Sequence, residues 1–441
     1  MKNCQNNMQG LDLHDVCAQF GTPLYVYDAD VIKRQFISFS KAFSGVDHKI
    51  MYAVKACSNL SIIKYMGTLG AGIDTVSIPE IKMGFKAGFK PEEIVFTPNV
   101  VEFSEIREAA ELGVSVNIEN LQNLEAFGRE FAENYPVCIR LNPNMLSEIK
   151  SGKATGIKMD SHFPSDSLKF GSINKEHYGD VSDERVAAWH NQSKFGISLI
   201  QFDKVLELVE KFKIKINGIH LHSSHVILNK EVFAKGVKTV FDIAKQFEHL
   251  EYVDFGGGIM VKHQRNDTVV EPNQMGKILK KEYDKFCTSI GRKVKIWFEP
   301  GRYLMSEAGC LLTKAVVLKT NGWINFVGTN TGFNHLLRPM MYDAYHEIVN
   351  ITNPDGKLEK YNIVGNLCEI DNLGTERMLN KFRENDIIMI KNTGAYGFSM
   401  SSNYNTRPKP AEVLIINGKA ELIRKREDFV DLIRNQIQLD F

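Results

Sequence analysis

Short hydrophobic, β-branched runs alternate over the first 300 residues with segments whose hydrophobic residues recur at helical spacing. Eight runs predict strands: KIMYAV (49–54), AGIDTVS (71–77), EEIVFTP (92–98), VSVNIE (114–119), PVCIRLN (136–142), INGIHLH (216–222), LEYVDFGGG (250–258) and VKIWFEPGR (294–302). Predicted helices between them include residues 121–135, 201–212 and 231–247. Strands that alternate with helices pair in parallel, and eight units close a TIM-like (β/α)8 barrel. An open doubly wound sheet is the alternative interpretation.

The pattern changes after Arg302. The runs CLLTKAVVLKT, WINFVGT, KYNIVGNLCE, DIIMIKNTGAYGF and AEVLIING follow one another with few helical stretches. This predicts a mostly antiparallel β domain, either a barrel or a sandwich. TPLYVYD (22–28) can add a strand to it. We therefore expect a barrel domain at residues 30–305 and a β domain formed by residues 1–29 and 306–441.

One connection breaks the rhythm of the barrel. Residues 145–193 separate the fifth and sixth predicted strands, which is long for a single loop. The segment contains one candidate helix, SDERVAAWH (182–190). Two interpretations stay open, a surface excursion with its own small helix or a lid over the barrel mouth.

Composition narrows the possible partners and compartments. Lys plus Arg is 54 and Asp plus Glu is 53, so a net charge of +1 favours neither nucleic acid nor a membrane surface. The hydrophobic runs are of strand length, and MKNCQNNMQG at the N-terminus lacks the hydrophobic stretch of a secretory signal. The seven cysteines are scattered and form no CxxC pair, which fits a reducing cytosol and argues against disulfides and zinc. We expect a cytoplasmic protein without a metal.

Polar and small residues collect where the predicted strands end. In a (β/α)8 barrel the carboxyl ends of the strands carry the active site. The residues at those ends include Lys55, Asp74, Ser77, Asn99, Asn142, His222, Gly256 to Gly258, Glu299 and Arg302. Lys55, His222, the glycine run and the Glu299–Arg302 pair each have an ordinary structural explanation: a solvated lysine, a core histidine, a tight turn or a surface ion pair. Together they predict one functional rim.

The combination of an amine, a glycine-rich phosphate cup, an imidazole and an acid is what pyridoxal phosphate requires. A lysine can form an imine with the cofactor, and backbone N–H groups of DFGGGI (254–259) can hold a phosphate. A carboxylate can face the ring nitrogen, and a histidine can stack on the ring. We expect partial burial to lower the pKa of Lys55 and make it a nucleophile.

The chain resembles the barrel-type pyridoxal-phosphate-dependent decarboxylases. The stretches that carry the resemblance run in family order: FGTPLYVYD (20–28), YAVKACSN (52–59), RLNPN (140–144), SKFGIS (193–198), GIHLH (218–222), DFGGGI (254–259), EPGRYLMSEAG (299–309), LLRPMMYDAYHEI (336–348), GNLCE (365–369) and GAYGFSMSSNYN (394–405). They span nearly the whole chain. RPMMYDAYHEI and GAYGFSMSSNYN are more similar to the diaminopimelate branch than to the ornithine or arginine branches.

The resemblance implies a role for each matching residue. Residues implied to bind pyridoxal 5'-phosphate are Lys55, Asp74, His222, Ser224, Gly257, Gly258, Glu299, Arg302 and Tyr396. Residues implied to bind the amino-acid substrate are Arg302, Arg338, Tyr342, Glu369 and Tyr396. Lys55 and Cys368 are the implied catalytic residues, with Cys368 as the proton donor. In the family Cys368 and Glu369 would come from the partner subunit, so a homodimer is implied.

The implied reaction is decarboxylation of meso-2,6-diaminopimelate to L-lysine and carbon dioxide. Arginines suit the far carboxylate of this substrate, and a glutamate suits its far ammonium. Three alternatives stay open. They are a sister decarboxylase for D-ornithine, D-lysine or a carboxylated polyamine or siderophore precursor, a non-catalytic relative without cofactor, and an amino-acid racemase.

Three stretches depart from the family pattern. HSSHV (222–226) has Ser224 and His225 where the family has a Gly-Ser pair, so either His225 or a serine completes the phosphate cup; we favour the serine. Ile370, Asp371 and Asn372 replace a Ser-Gly-Asp run. The segment 145–193 is longer than the family usually carries. The last two departures lie where substrate specificity is set.

Overall fold

A computed structural model of the chain describes residues 6–142, 194–221, 230–264, 267 and 269–441. The expectations for residues 145–193, and for His222, Ser224 and His225, lie outside these described residues. None of the described helices combines the length and the hydrophobicity that spanning a bilayer requires.

Eight parallel strands form the first domain. In chain order they are His48–Ala53, Gly72–Thr75, Ile94–Phe96, Ser115–Ile118, Val137–Asn142, Ile216–Leu221, Tyr252–Asp254 and Lys295–Phe298. The eighth strand pairs with the first, and the sixth pairs with both the fifth and the seventh. This pairing closes the sheet, so the predicted barrel is confirmed and the open sheet is excluded. A two-residue strand, Ile197–Ser198, adds to the fifth strand.

Helices follow the barrel strands, and small polar residues fix several of their ends. The described helices are Leu13–Phe20, Ala29–Ala42, Leu60–Thr68, Ile78–Ala87, Phe103–Glu111, Leu121–Glu130, Phe202–Phe212, Lys230–Ala244, Pro272–Ile290, Arg302–Met305, Arg338–Tyr342 and Phe429–Ile433. The Ser77 side chain accepts from the backbone N–H of Glu80 at the start of the fourth helix, and left-handed Gly88 ends that helix. Asn120 caps the sixth helix in the same way.

The second domain is a mostly antiparallel sheet. Its strands are Leu24–Asp28, Gly309–Asn321, Ile324–Thr329, Ile348–Asn350, Leu358–Val364, Asn372–Asn380, Ile387–Ile390, Ala411–Ile416 and Lys419–Arg424. Leu24–Asp28 lies between Gly309–Asn321 and Ala411–Ile416, so an N-terminal strand joins this sheet as predicted. A short hairpin, Asn7–Met8 with Leu11–Asp12, precedes it. The division at residues 29/30 and 305/306 stays a prediction.

Strand alternation divides the barrel interior into layers. One layer is an apolar plug that contains Met51, Val95, Cys138, Tyr252 and Trp297. The rings of Tyr252 and Trp297 stack with their centroids 3.7 Å apart. A Cβ at Gly218 would lie 2.5 Å from the Tyr252 ring, so only glycine fits there. Because side chains alternate along a strand, the residues two positions further on form the next layer toward the carboxyl ends.

Candidate active site

That next layer is polar and buried. Its polar members include Asp74, Thr97, Asn117, His220, Asp254 and Glu299, and each of these is less than 9% exposed. The Thr97 hydroxyl donates to Glu299 at 3.3 Å, and the Asn117 amide donates to Thr97 at 2.8 Å. His220 Nε2 lies 3.5 Å from the second carboxylate oxygen of Glu299. The apolar plug therefore supports a connected polar layer centred on Glu299.

Lys55 stands at the edge of this layer. The first strand ends at Ala53, and a 3-10 turn, Val54–Ala56, carries the lysine over the barrel mouth. Its amine donates a hydrogen bond to Asp74, which lies beside Ala53 in the register of the first two strands. The Lys55 side chain is 37% exposed, whereas that of Asp74 is fully buried. The amine is thus paired with a buried acid and still reachable from the mouth.

The charge of Lys55 is set by opposing effects. Burial alone would lower the pKa of its amine, but the carboxylates of Asp74 and Glu299 together raise that pKa above the ordinary value. The expectation of a lowered pKa is wrong, because it considered burial without the acids at the ends of the second and eighth strands. The amine is therefore protonated in this state and must lose a proton before it can attack a carbonyl.

Asp254 links the acid layer to the glycine turn. Burial first, and then the charge of Glu299, raise the pKa of Asp254 well above its ordinary value, which disfavours its charged form. Its side chain accepts a hydrogen bond from the backbone N–H of Gly256 at 2.7 Å. Gly256 and Gly258 both have positive φ angles, 63° and 84°, which favour glycine. Gly257, the other predicted phosphate residue, lies between them.

The turn after the eighth strand comes close to the turn that carries Lys55. A Cβ at Gly301 would lie 2.8 Å from the Cβ of Ala56 and 3.1 Å from that of Ala53. The absence of a side chain at Gly301 lets the two turns touch. Together with the pairing of the eighth and first strands, this contact brings Glu299 and Lys55, far apart in the sequence, to the same part of the barrel mouth.

Two arginines and two tyrosines form the outer part of the site. The guanidinium of Arg302 lies 5.5 Å from the centre of the Tyr396 ring, and that of Arg338 lies 6.0 Å from the same ring. Arg338 also lies 5.7 Å from the ring of Tyr342. The Tyr396 backbone N–H donates to Ala56 at 2.8 Å, which joins this group to the Lys55 turn. The structure thus brings these four predicted residues to the rim.

The two guanidiniums leave a local excess of positive charge. Burial first, and then the nearby charge of Arg302, lower the pKa of Arg338 to about 10, so it stays charged at neutral pH. Among the described residues neither arginine has an ion pair with an acidic side chain. A buried cation without a counter-ion is unfavourable. The pair is therefore suited to an anionic group such as a carboxylate.

Cys368 and Glu369 lie in a separate group, which we call the surface cluster: Cys368, Glu369, Tyr404 and Asn405. The Tyr404 hydroxyl donates to Glu369 at 2.9 Å, and the Asn405 amide donates to the Cys368 sulfur at 3.0 Å. All four residues are exposed. In the described part of the chain no hydrogen bond or ion pair joins this cluster to Lys55. No described hydrogen bond or ion pair therefore links these two predicted residues to the lysine of their own chain.

Sequence reasoning missed several members of the polar layer. Thr97, Asn117, His220 and Asp254 were given no role, although each lies on a predicted strand or at its end. The available signal was alternation: His220 precedes His222 by two positions, and Asp254 precedes Gly256 by two positions.

Comparison with known proteins identifies the class. The family model for the pyridoxal-binding domain of pyridoxal-dependent decarboxylases matches residues 29–177 and 179–306. The chain belongs to the pyridoxal-dependent decarboxylases, and this membership implies a pyridoxal cofactor.

Relatives that match over their full length include several diaminopimelate decarboxylases. Diaminopimelate decarboxylase of Methanothermobacter thermautotrophicus is 33% identical over 97% of this chain and 94% of the relative. Among solved structures, diaminopimelate decarboxylase from M. jannaschii in complex with L-lysine has a TM-score of 0.84 at 26% identity and covers 100% of this chain and 97% of that one. The Helicobacter pylori enzyme with L-lysine has a TM-score of 0.79 at 30% identity and covers 96% and 98%.

The site has features that fit a pyridoxal group. The Lys55 amine is reachable from the barrel mouth, and Glu299 is buried within the polar layer. Asp74 Oδ1 is buried and has no hydrogen-bond partner among the described residues, so this atom can accept from a further donor. The left-handed Gly256 and Gly258 carry no side chain that would exclude a phosphate.

Proposed function

We propose that the protein decarboxylates meso-2,6-diaminopimelate to L-lysine and carbon dioxide with pyridoxal 5'-phosphate as cofactor. The observation that carries the proposal is the pair of arginines, Arg302 and Arg338, beside a lysine–acid centre at the mouth of the barrel. Full-length similarity to diaminopimelate decarboxylases supports the same substrate.

In this proposal the barrel holds the cofactor. Lys55 would hold it covalently, Gly257, Gly258 and Tyr396 would bind its phosphate, and Glu299 would serve its ring nitrogen. His222 is proposed to stack on the ring, and Ser224 is proposed to complete the phosphate cup. When bound, a pyridoxal group supplies an electron sink for the electron pair that the departing carbon dioxide leaves behind.

The polar layer prepares Glu299 for its part. Thr97 donates to one of its oxygens, and His220 lies beside the other, which fixes the orientation of the carboxylate. Burial and the charge of Glu299 raise the pKa of Asp254, which disfavours a second carboxylate charge beside Glu299. The layer thereby limits the negative charge gathered around Glu299, and the carboxylate can hold a proton at the ring nitrogen.

Asp74 has a corresponding part at Lys55. It holds the lysine amine in its protonated form, as the raised pKa of Lys55 indicates. A new partner for the amine frees this buried carboxylate, whose own pKa is raised by burial and by Glu299, so Asp74 is suited to take up a proton. Asp74 is thus proposed to store the proton that Lys55 must lose.

The residues of the outer part of the site are proposed to bind the distal carboxylate and ammonium of the substrate. Arg302, Arg338 and Tyr342 bind the distal carboxylate, which supplies the anion that the two guanidiniums lack, with Tyr396 beside them. Glu369 binds the distal ammonium. Because ornithine has no far carboxylate, this arrangement favours diaminopimelate.

Cys368 is proposed to protonate the substrate carbon after carbon dioxide leaves. Cys368 and Glu369 are exposed on their own chain, and neighbouring Ile370 is 75% exposed. A second copy of the chain that docks its surface cluster on this barrel mouth would complete the site and bury these groups. A homodimer with shared sites is therefore part of the proposal. A reducing cytosolic compartment is also part of it, supported by six described cysteines that are free.

A substrate panel tests the proposal. Carbon dioxide release is measured from meso-diaminopimelate, D-ornithine, D-lysine and carboxylated polyamine precursors, for the wild type and for Arg338→Ala. We expect a marked preference for diaminopimelate in the wild type. The variant should lose roughly tenfold to a hundredfold in kcat/KM on it, because a charged hydrogen-bond partner is removed. Equal turnover of diaminopimelate and D-ornithine by the wild type would contradict the proposal.

A further inference from the structure

We propose that Tyr404 is a positioning residue that couples recognition of the distal amine to proton delivery: its hydroxyl turns from Glu369 to Cys368 as the Cys368 thiol gives up its proton. The inference rests on the proposed function, in which Glu369 binds the distal ammonium and Cys368 is the proton donor. It adds a residue to which neither the motifs nor the relatives gave a role.

The geometry gives one hydroxyl two partners. Tyr404 Oη lies 2.9 Å from Glu369 Oε1 and 3.7 Å from Cys368 Sγ. A hydroxyl has one proton and two lone pairs, so it donates to one of these groups at a time. While Cys368 is a thiol, the tyrosine donates to Glu369 and its oxygen accepts the S–H. Once the thiol has become a thiolate, the sulfur needs a donor instead.

The tyrosine keeps its own proton during this exchange. Its contacts with Cys368 and then Glu369 raise the pKa of Tyr404 to about 12, so the hydroxyl stays protonated at neutral pH. The proton that reaches the substrate is therefore that of the thiol. The S–H bond breaks, and a C–H bond forms with the electron pair that carbon dioxide left. The resulting thiolate later regains a proton from water.

Neighbouring contacts leave the hydroxyl little other freedom. Asn405 holds Cys368 from another side, because its amide oxygen accepts from the Cys368 backbone N–H at 3.0 Å while its nitrogen donates to the sulfur. Asn405 has a φ of 56°, a left-handed conformation that asparagine tolerates well. The ring of Tyr404 stacks on Phe333 with 5.6 Å between centroids. Rotation about the C–O bond of Tyr404 is thus the motion that remains.

Substrate binding would bias this rotation. When the distal ammonium pairs with Glu369, the carboxylate has a charged partner and depends less on the tyrosine. The Tyr404 proton can then turn to the sulfur and stabilise the thiolate as it forms. A substrate with a distal amine therefore promotes proton donation by Cys368. The analogue 2-aminopimelate keeps the far carboxylate but lacks that amine, so it should not have this effect.

Tyr404→Phe tests the inference because it keeps the stacked ring and removes only the hydroxyl. We expect a kcat on diaminopimelate roughly tenfold lower, with KM changed less than about twofold. The visible absorbance of the bound cofactor should stay the same. Slow protonation of the substrate carbon should raise the fraction of turnovers in which the proton goes to the cofactor instead, which leaves an aldehyde and the amine form of the cofactor.

Two further comparisons separate positioning from general damage. Tyr361→Phe is the matched control, because Tyr361 also donates to a glutamate, Glu359, at 2.7 Å; it should leave kcat and the abortive fraction unchanged. The kcat advantage of diaminopimelate over 2-aminopimelate should shrink in Tyr404→Phe. Glu369→Gln combined with Tyr404→Phe should cost less than the product of the two single effects, because both remove the same hydrogen bond.

The outcomes distinguish the two proposals. An active wild type in which Tyr404→Phe matches Tyr361→Phe in kcat, abortive fraction and substrate preference overturns the role of Tyr404 alone. A wild type that retains its cofactor but releases no carbon dioxide from diaminopimelate overturns the proposed function, and the inference with it.

Discussion

At the scale of single residues, the site is governed by how buried charges compensate one another. Lys55 and Asp74 neutralise each other. Burial and the charge of Glu299 raise the pKa of Asp254, which disfavours a second negative charge beside Glu299. Arg302 and Arg338 are the exception, since no acidic side chain in the described part of the chain pairs with them. The paired charges stabilise the fold, whereas Arg302 and Arg338 are available to bind an anionic ligand.

Lys55→Arg provides the sharpest residue test of cofactor attachment. Arginine keeps a cation beside buried Asp74 but cannot form an imine, so the variant should fold and should hold no cofactor that borohydride reduction fixes to the protein. Peptide mapping by mass spectrometry measures this. Lys49→Ala is the control at the other end of the same strand, where the lysine amine donates to the carbonyl of Glu92. Cofactor fixed to another lysine in Lys55→Arg would contradict the assignment.

Several site residues were predictable because they end strands or stand in motifs. Lys55, Asp74, Glu299 and Arg302 follow from the (β/α)8 pattern, and the structure gathers them at one mouth. The raised pKa of Lys55 was not predictable, since it depends on two carboxylates brought together by barrel closure. Tyr404 was also missed, because its partners lie about 35 residues away and only the folded loop shows the contact.

At the scale of elements, the two-residue repeat of the strands builds the site. The apolar plug and the polar layer are successive inward positions of the same strands. Because these inward positions recur along each strand, the eight strands could be predicted from the sequence. The close contact between the Lys55 turn and the Glu299 turn could not be predicted, because it depends on the absence of a Cβ at Gly301.

Gly301→Ala tests that contact. The residue has a φ of −96°, so alanine meets no backbone strain and only the steric clash with Ala56 and Ala53 remains. Overpacking of about 1–3 kcal/mol should push the Lys55 and Glu299 turns apart and weaken cofactor affinity roughly tenfold. A cofactor titration followed by absorbance measures this. Gly45→Ala, which meets only the flexible side chain of Lys280, should bind as the wild type does.

At the scale of the whole molecule, two sheets share one site. Leu24–Asp28 crosses from the N-terminus into the second sheet, and the hydroxyl of Tyr25 on this strand donates to the His335 carbonyl. The stability of this domain should depend on buried histidines. His335 bridges the Thr331 hydroxyl and the Pro408 carbonyl, a pairing that its neutral form satisfies when Nε2–H donates to the carbonyl and Nδ1 accepts from the hydroxyl.

Acid should therefore destabilise the second domain. Burial lowers the pKa of His335 to about 4 and that of His346 to about 3, so the unfolded chain takes up protons first as pH falls. The stabilising effect is complete above about pH 6.5 and is lost as pH falls, down to about pH 4 for His335 and about pH 3 for His346, at up to about 1.4 kcal/mol per pH unit for each histidine. Denaturant unfolding at several pH values measures the slope. His335→Gln should reduce it, and His249→Gln on the surface should not.

The shared site predicts complementation between chains. Lys55→Ala and Cys368→Ala protein, each nearly inactive alone, should regain activity after mixing and reassembly. With random exchange about a quarter of all sites are intact in a twofold dimer. Lys55→Ala mixed with Glu299→Ala is the control, because both changes lie on the barrel side and no site is restored. Verified mixed dimers without recovery would argue that each chain builds its own complete site.

One measurement tests the proposed chemistry most directly: turnover of meso-diaminopimelate by the purified protein in deuterium oxide. We predict equal amounts of carbon dioxide and L-lysine, with one deuterium on the carbon that lost its carboxylate and none at the retained α-carbon. That pattern requires loss of carbon dioxide followed by delivery of one solvent-exchanged proton, the step proposed for Cys368. Deuterium at an α-carbon that keeps its carboxylate, without release of carbon dioxide, would indicate racemisation and contradict the proposed function.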